Sequence, residues 1–386
     1  MDNPFSVLIS AHIRWYNAEA EYAHRLARGL LTRGWRVIIW GLDDSPLVNR
    51  ARQDGVPVIT SGNPGSLNPA DWRATFNYLR RVIRDGGIEV VNAMRSEGYP
   101  LVARAARRAG ATVIRTRGDM RIPRLPTLNK RIYKKWTDLV ISSNDLLRDE
   151  LMVRLDLPAD MVHTVRLGID PEEIAPSPPS LKIQQELGLS EKDRVVGMMG
   201  RLGAVKGWEF ILRGAGEILR RVPSARFLVI YRDVEKSDPF LPELAKSKFK
   251  DRFILVGPRE DHREVMKAAH AAVIPSVGSE AHCRVALEWM AAGVPVVGSR
   301  VGVIPEIVEH GATGYLVQPR YSETFADCLG TLLEDPEKAE SMGKKGRERL
   351  EKEFNEKRMI EETVDLYKQA LRRHEAWKRS SKLRSD

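Results

Sequence analysis

The chain has 386 residues, too many for one ordinary core, since single cores stop growing near ~250–300 residues. Its composition, 42% hydrophobic and 30% charged with two cysteines, excludes collagen-like, disulfide-scaffold and wholly disordered classes. With 62 Lys+Arg against 52 Asp+Glu the formal net charge is +10, which suits an anionic partner: nucleic acid, an anionic membrane surface or a phosphorylated substrate.

In chain order, residues 6–10 read as a buried strand and 19–33 as an amphipathic helix ending before Gly34. Strands are predicted at 37–40 and 56–59, and a helix at 71–84 closed by Gly86 and Gly87. Strands 89–93 and 112–115 flank an Ala-rich helix 101–109. Strand 138–142, helix 144–154 and strand 162–166 complete the first half. Apolar strands alternating with helices imply right-handed βαβ units and a parallel, doubly wound sheet. Segment 171–182 holds Pro171, Pro176, Pro178 and Pro179 in a small-polar setting and reads as an interdomain linker. The alternation then restarts. Strands are predicted at 194–199, 225–231, 253–256, 272–275, 294–298 and 314–317. Helices are predicted at 208–222, 263–270, 285–292 and 304–309, with a helical remainder to Arg373. The expected architecture is α/β, two tandem doubly wound domains facing across a cleft, with the site beyond the carboxyl ends of the strands.

The charge is unevenly placed. Residues 1–170 carry 26 Lys+Arg and 18 Asp+Glu, residues 171–370 carry 30 and 32, and the tail 371–386 carries 6 and 2. A general nucleic-acid wrapper would spread the surplus, so no nucleic-acid partner is expected. Cys283 and Cys328 form no metal or redox motif and read as reduced, packing thiols. Neither a leader pattern nor an apolar run of the ~18–20 residues of a membrane span is visible, so a cytoplasmic protein, peripheral at the inner face of the cytoplasmic membrane, is expected.

Three segments carry chemistry. In 279–288, Glu280 falls in the turn before a helix and Glu288 about one turn inside it. The amides of Cys283, Arg284 and Val285 would be first-turn donors facing an anion. Glu288 on an otherwise apolar helix calls for a partner. Two ordinary surface glutamates are the plain alternative. In 199–207, Gly200 and Gly203 admit close backbone approach, and Arg201 and Lys206 place two cations at a strand-to-helix turn, an arrangement suited to a diphosphate. This is neither a Walker loop nor a G-x-G-x-x-G dinucleotide loop. The third segment is 293–317, G-V-P-V-V-G-S followed by G-x-I-P-E-I-V-x-x-G-x-T-G-Y-L-V.

Taken together, the E-x7-E pair, the G-R-L-x-x-x-K-G loop and the 293–317 run resemble glycosyltransferase family 4. These are retaining nucleotide-sugar transferases of the GT-B fold, here of the kind that builds bacterial cell-surface glycans. Thr137 to Asn144 and Val165 to Asp170 resemble the family's landmarks in the first half. The resemblance implies two Rossmann-like domains. Residues 1–170 would bind the acceptor and 183–358 the donor, with 359–386 a helix returning to the first domain plus a basic tail. Arg201 and Lys206 would bind the donor diphosphate and stabilise the leaving group, with Glu280 at the transferred sugar as the third catalytic residue. Glu288 would hold the ribose hydroxyls. Gly200, Gly203 and the amides of Cys283, Arg284 and Val285 would line the diphosphate, and Gly257 and Pro258, followed by Arg259, would cradle the nucleobase. No cofactor or metal is implied, the two cations doing what a metal does elsewhere, and no D-x-D occurs.

The chain departs from the family pattern where Glu-Gly-Phe-Gly becomes Glu280-Ala281-His282-Cys283, and where the glycine pair after the first strand becomes Asn17-Ala18. The histidine often found after the fifth strand is absent. His12, Asn17, Arg117 and Asp119 are the candidates on the acceptor side, an Arg117–Asp119 ion pair being the plainer reading. Segment 101–135 has 11 Lys+Arg against Asp119 alone, and the tail places Trp377 among Arg372, Arg373, Lys378, Arg379, Lys382 and Arg384. Aromatic 71–84, the run and the tail suit an anionic membrane or glycolipid, with a solvated face and aromatics in the core the plainer reading of 71–84. The expected function is transfer of a hexose-like sugar from a UDP- or GDP-sugar to an anionic glycolipid, lipopolysaccharide core or polysaccharide. The alternatives are a nucleotide-sugar-binding protein without turnover, a basic nucleic-acid binder and an epimerase of the same fold.

Overall fold

The computed structural model describes residues 5–121, 126–278 and 280–382. The chain divides into two compact units, Met1–Gly168 with Glu356–Asp386 and Ile169–Asn355. The breaks therefore fall at 168 and 355 rather than at 170 and 358. Segment 171–182 is also no free linker. Pro171–Ile174 forms a 3-10 turn whose Glu172 amide donates to the Asp170 carboxylate at 3.0 Å, and Ile174 is buried.

The first unit is built on seven parallel strands: β1 (Ser6–Ser10), β2 (Arg36–Trp40), β3 (Val58–Ile59), β4 (Val90–Ala93), β5 (Thr112–Arg117), β6 (Leu139–Ser142) and β7 (Val162–Thr164). Their order is β3-β2-β1-β4-β5-β6-β7. Every position of β1, β4, β5 and β6 is buried, as parallel strands covered by helices on both faces require. The helix Ala18–Leu31 begins where the Asn17 side chain accepts from the Ala20 amide at 2.9 Å. The helix Glu356–Lys382 belongs to this unit. It buries Tyr367 and Ala370, and Asn92 of β4 donates to the Tyr367 hydroxyl at 2.8 Å.

The basic run 101–135 is less lopsided in space than in sequence. Arg107 pairs with Asp138 at 2.7 Å, and Lys130 and Lys134 reach Asp156 at 2.7 and 2.9 Å. Arg373 pairs with Asp160 at 2.9 Å, and Lys378 donates to the Gly110 carbonyl at 2.8 Å. On the helix Pro69–Asp85, Phe76 is buried and Trp72 stacks on it at 5.4 Å, so those aromatics serve the core. Arg124 and Arg384 lie outside the described residues, as do the side chains of Trp377 and Lys382.

The second unit holds six parallel strands: β8 (Arg194–Leu202), β9 (Ala225–Val234), β10 (Phe253–Val256), β11 (Ala271–Ile274), β12 (Val296–Ser299) and β13 (Gly314–Val317). They are ordered β10-β9-β8-β11-β12-β13. Phe227 of β9 stacks on Phe253 of β10 at 4.5 Å, with Phe240 edge-on to Phe253. The sequence reading misses the helices Pro46–Gln53, Pro126–Trp136 and Phe240–Lys246. Two open on proline, which a first helical turn tolerates. It also ends β8 and β9 three residues early, because Gly200 and Arg201 on β8 and Arg232 and Asp233 on β9 break the apolar run before the strands pair once more at Leu202, which is buried, and Val234. Among the described residues no helix is long and apolar enough to cross a membrane.

Candidate functional site

In a doubly wound sheet the crevice lies at the carboxyl ends of the strands where the winding reverses. In the second unit that point falls between β8 and β11, and the two chemistry-bearing segments leave from those strands. Arg201 is still on β8, not in the turn as expected, while Lys206 lies in the following 3-10 turn Ala204–Lys206. The Val277 amide donates to the Val205 carbonyl at 2.9 Å, which fastens this turn to the chain beyond β11. Gly207 allows the approach. Its φ is +67°, and a Cβ there would stand 2.2 Å from the Pro275 carbonyl oxygen.

Lys206 and Glu280, 74 residues apart, form an ion pair through Nζ and Oε1, and the Ser276 hydroxyl donates to the same oxygen at 2.6 Å. Glu280 is 5% exposed. Its carbonyl accepts from the Val303 amide at 2.8 Å, beside Gly302, where φ is +54° and a Cβ would stand 2.0 Å from that carbonyl oxygen. Burial works to lower the Lys206 pKa, but the Glu280 carboxylate outweighs it and the net shift is upward, so the ammonium stays charged.

Glu288 lies on the helix Arg284–Ala291 and is 2% exposed. Arg284 Nε stands 3.3 Å from its Oε1, while its Oε2 is buried without a hydrogen-bond partner among the described residues. A buried acceptor of this kind calls for a donor, which a water molecule or a hydroxyl can supply. Cys283 caps this helix in the left-handed region, φ +43° and ψ +52°, the conformation a glycine adopts freely. Burial, reinforced by Glu280, pushes its thiol well above the ordinary range. Val285 is partly exposed in the helix's first turn. Ser279 lies outside the described residues.

Gly257, Pro258 and Arg259 follow β10. They line, with Leu187 and Leu255, a cavity of about 350 Å³. Arg259 is held by Glu186 and Asp261. His262, just beyond, feels the Glu288 charge, but burial dominates and lowers its pKa.

Arg201 is not joined to this cluster by an ion pair; its Nε stands 2.9 Å from Glu235, beyond the end of β9. The sequence reading misses Glu235 and Ser276. Ser276 was readable as a polar residue between a strand and Glu280, whereas Glu235 becomes a neighbour of Arg201 only through strand pairing.

In the first unit the winding reverses between β1 and β4. Glu19, in the first turn after Asn17, is buried there and accepts from Arg95 at 2.8 Å, leaving Oε1 without a hydrogen-bond partner among the described residues. Burial raises its pKa. The sequence reading misses this pair too. Asn17 itself caps a helix. Arg117 is buried and ion-paired with Asp119 at 3.0 Å, as the plainer reading had it. His12 lies edge-on to Trp40 at 4.5 Å, and burial lowers its pKa to about 4. Among the described residues no cluster of three His, Cys, Asp or Glu is placed to hold a metal ion.

Residues 180–349 match the family described as glycosyl transferases group 1, and residues 18–175 match the glycosyl transferase 4-like domain. The chain belongs to the family 4 glycosyltransferases. It is 30% identical over 58% of its length to a D-inositol 3-phosphate glycosyltransferase of Corynebacterium jeikeium. It is 31% identical over 60% of its length to an alpha-maltose-1-phosphate synthase of Mycolicibacterium smegmatis. These alignments span 56% and 63% of the two relatives' own lengths. The crystal structure of HepE from Anabaena in complex with UDP is similar with a TM-score of 0.83 at 19% identity, over 95% of this chain and 100% of that one. The fold of this family member is thus GT-B, two parallel-sheet Rossmann-like units.

Proposed function

We propose that the protein is a retaining glycosyltransferase that moves a hexose-like sugar from a nucleotide-diphosphate sugar, UDP- or GDP-linked, to an anionic acceptor. The observation that carries this reading is the convergence of Lys206 on the buried Glu280, with the open oxygen of Glu288 on the next helix. Lys206, Arg201 and the first-turn amides at Cys283 to Val285 take up the charge that develops on the leaving diphosphate, and this electrostatic stabilisation is the main source of rate in such a site. The Glu288 oxygen accepts from the ribose hydroxyls, and the nucleobase sits at Gly257 and Pro258. Glu280, ion-paired through Oε1, orients the transferred sugar and is no hydrolase nucleophile. The leaving phosphate takes the acceptor's proton as the acceptor attacks from the same face, which retains the anomer.

This reading needs no metal or cofactor, because two cations face the diphosphate. The acceptor goes to the first unit, whose Lys+Arg surplus favours an anion. The names of the two relatives carry phosphates, which supports the anionic class, and the HepE structure holds UDP. By the same charge complementarity we extend the acceptor to a glycolipid, lipopolysaccharide core or polysaccharide, reached from the cytoplasmic face of the membrane.

Thermal-shift screening against a panel of nucleotide sugars tests the donor assignment. A ligand at ~100-fold over its dissociation constant adds about 2.7 kcal/mol of stability. One donor class shifting the melt, with turnover that persists in EDTA, supports the reading. No shift with any donor opposes it.

A further inference from the structure

The chain keeps a carboxylate beside the arginine that this reading gives to the diphosphate. Arg201 is 52% exposed and its Nε lies 2.9 Å from Oε1 of Glu235, itself 32% exposed. Both terminal nitrogens of Arg201 lack a hydrogen-bond partner among the described residues. The backbone fixes the neighbour. The Glu235 amide donates to the Leu202 carbonyl at 2.8 Å, continuing the ladder past Leu202 and Val234. This carries the carboxylate over Gly203, where an added Cβ would stand 2.3 Å from Glu235 Oε2. The bare face of Gly203, expected to admit a phosphate, therefore makes room for a carboxylate. Lys206 is likewise matched by Glu280, so each cation of the loop already rests on an acid.

We infer that Glu235 is a positioning residue that competes with the donor diphosphate for Arg201 and so limits how tightly the nucleotide is held. The inference rests on the assignment of Arg201 and Lys206 to the diphosphate. A pair this exposed is weak and screened by water, whereas a phosphate takes both terminal nitrogens of a guanidinium at once. The nucleotide can therefore displace the carboxylate, and the carboxylate helps expel the nucleoside diphosphate after transfer.

The test titrates UDP, GDP and ADP calorimetrically into the full chain as wild type, Glu235→Gln, Glu235→Ala, Arg201→Ala and the double variant Arg201→Ala/Glu235→Gln. Both single Glu235 variants should tighten the diphosphate that binds by about three- to tenfold, and the gain should vanish in the Arg201→Ala background. With the matching sugar donor, Glu235→Gln should lower KM and also kcat, as product release slows. Unchanged or weaker binding in the Glu235 variants overturns the inference. So does a gain that survives without Arg201, which would be a general field effect. If Arg201→Ala leaves binding intact, or no diphosphate binds, the donor-site assignment itself fails and this inference falls with it.

Discussion

Lys206 and Glu280 meet across 74 residues of chain, and Ser276 holds the same carboxylate oxygen at 2.6 Å. Lys206 is 25% exposed and Glu280 nearly enclosed, so the pair is open on the cation's side only. On the proposed function, an incoming diphosphate would meet the ammonium while the carboxylate stays fixed behind it.

Removing the ammonium should have two separable effects. Lys206→Met strands a buried carboxylate, with an expected loss of about 1–3 kcal/mol in chemical denaturation. It should also lower transfer by roughly 10²–10³-fold. Lys206→Met combined with Glu280→Gln should recover most of the stability and none of the rate. Recovery of both would place the pair outside the chemistry.

Cys283 stands where the family pattern has glycine, with φ at +43°. Left-handed backbone costs a residue with a Cβ about 1–2 kcal/mol, and a β-branched one more. Cys283→Gly should therefore stay within about 1 kcal/mol of the wild type in a urea melt, the relieved strain offsetting the freer unfolded chain. Cys283→Val should lose about 2 kcal/mol, since the β-branched side chain adds to that cost. Equal midpoints for the two variants would contradict this account of the turn.

His12 predicts a slope on the acid side. Its folded pKa of about 4 lies below the ordinary 6.5, so between these values the unfolded chain binds the proton and the folded chain does not. Stability is complete above about pH 6.5 and falls as the pH drops towards 4, by a few kcal/mol at most, on the order of 3. His24, His262 and His270 are shifted the same way by burial and add to the slope. His12→Phe should flatten the unfolding free energy across this acid window, and an unchanged slope would rule His12 out as its source.

The two parallel, doubly wound domains and the loops after β8 and β11 are legible because apolar strands and glycine-rich turns declare themselves locally, whereas the order of the strands in each sheet is not. The run before Glu280 announced the acid that Lys206 meets. What escaped depends on residues distant in sequence. Glu235 reaches Arg201 only because polar strand ends continue to pair. The charge of 101–135 looked unbalanced because Asp138 and Asp156, which answer it, come later in the chain. Asn17 reads in the sequence as an acceptor contact, while its side chain caps a helix and the next residue but one, Glu19, carries the open oxygen. A capping asparagine and a binding asparagine look alike in sequence.

If Lys206 and Glu288 serve a nucleotide-sugar donor, both should govern its turnover. The most direct measurement follows release of nucleoside diphosphate from a panel of UDP- and GDP-sugars by the wild type, Lys206→Ala and Glu288→Ala, each variant first shown to be folded. We predict turnover of one donor class by the wild type, a loss of at least about 10²-fold in Lys206→Ala, and a raised donor KM in Glu288→Ala. Turnover left unchanged by both substitutions would contradict the account.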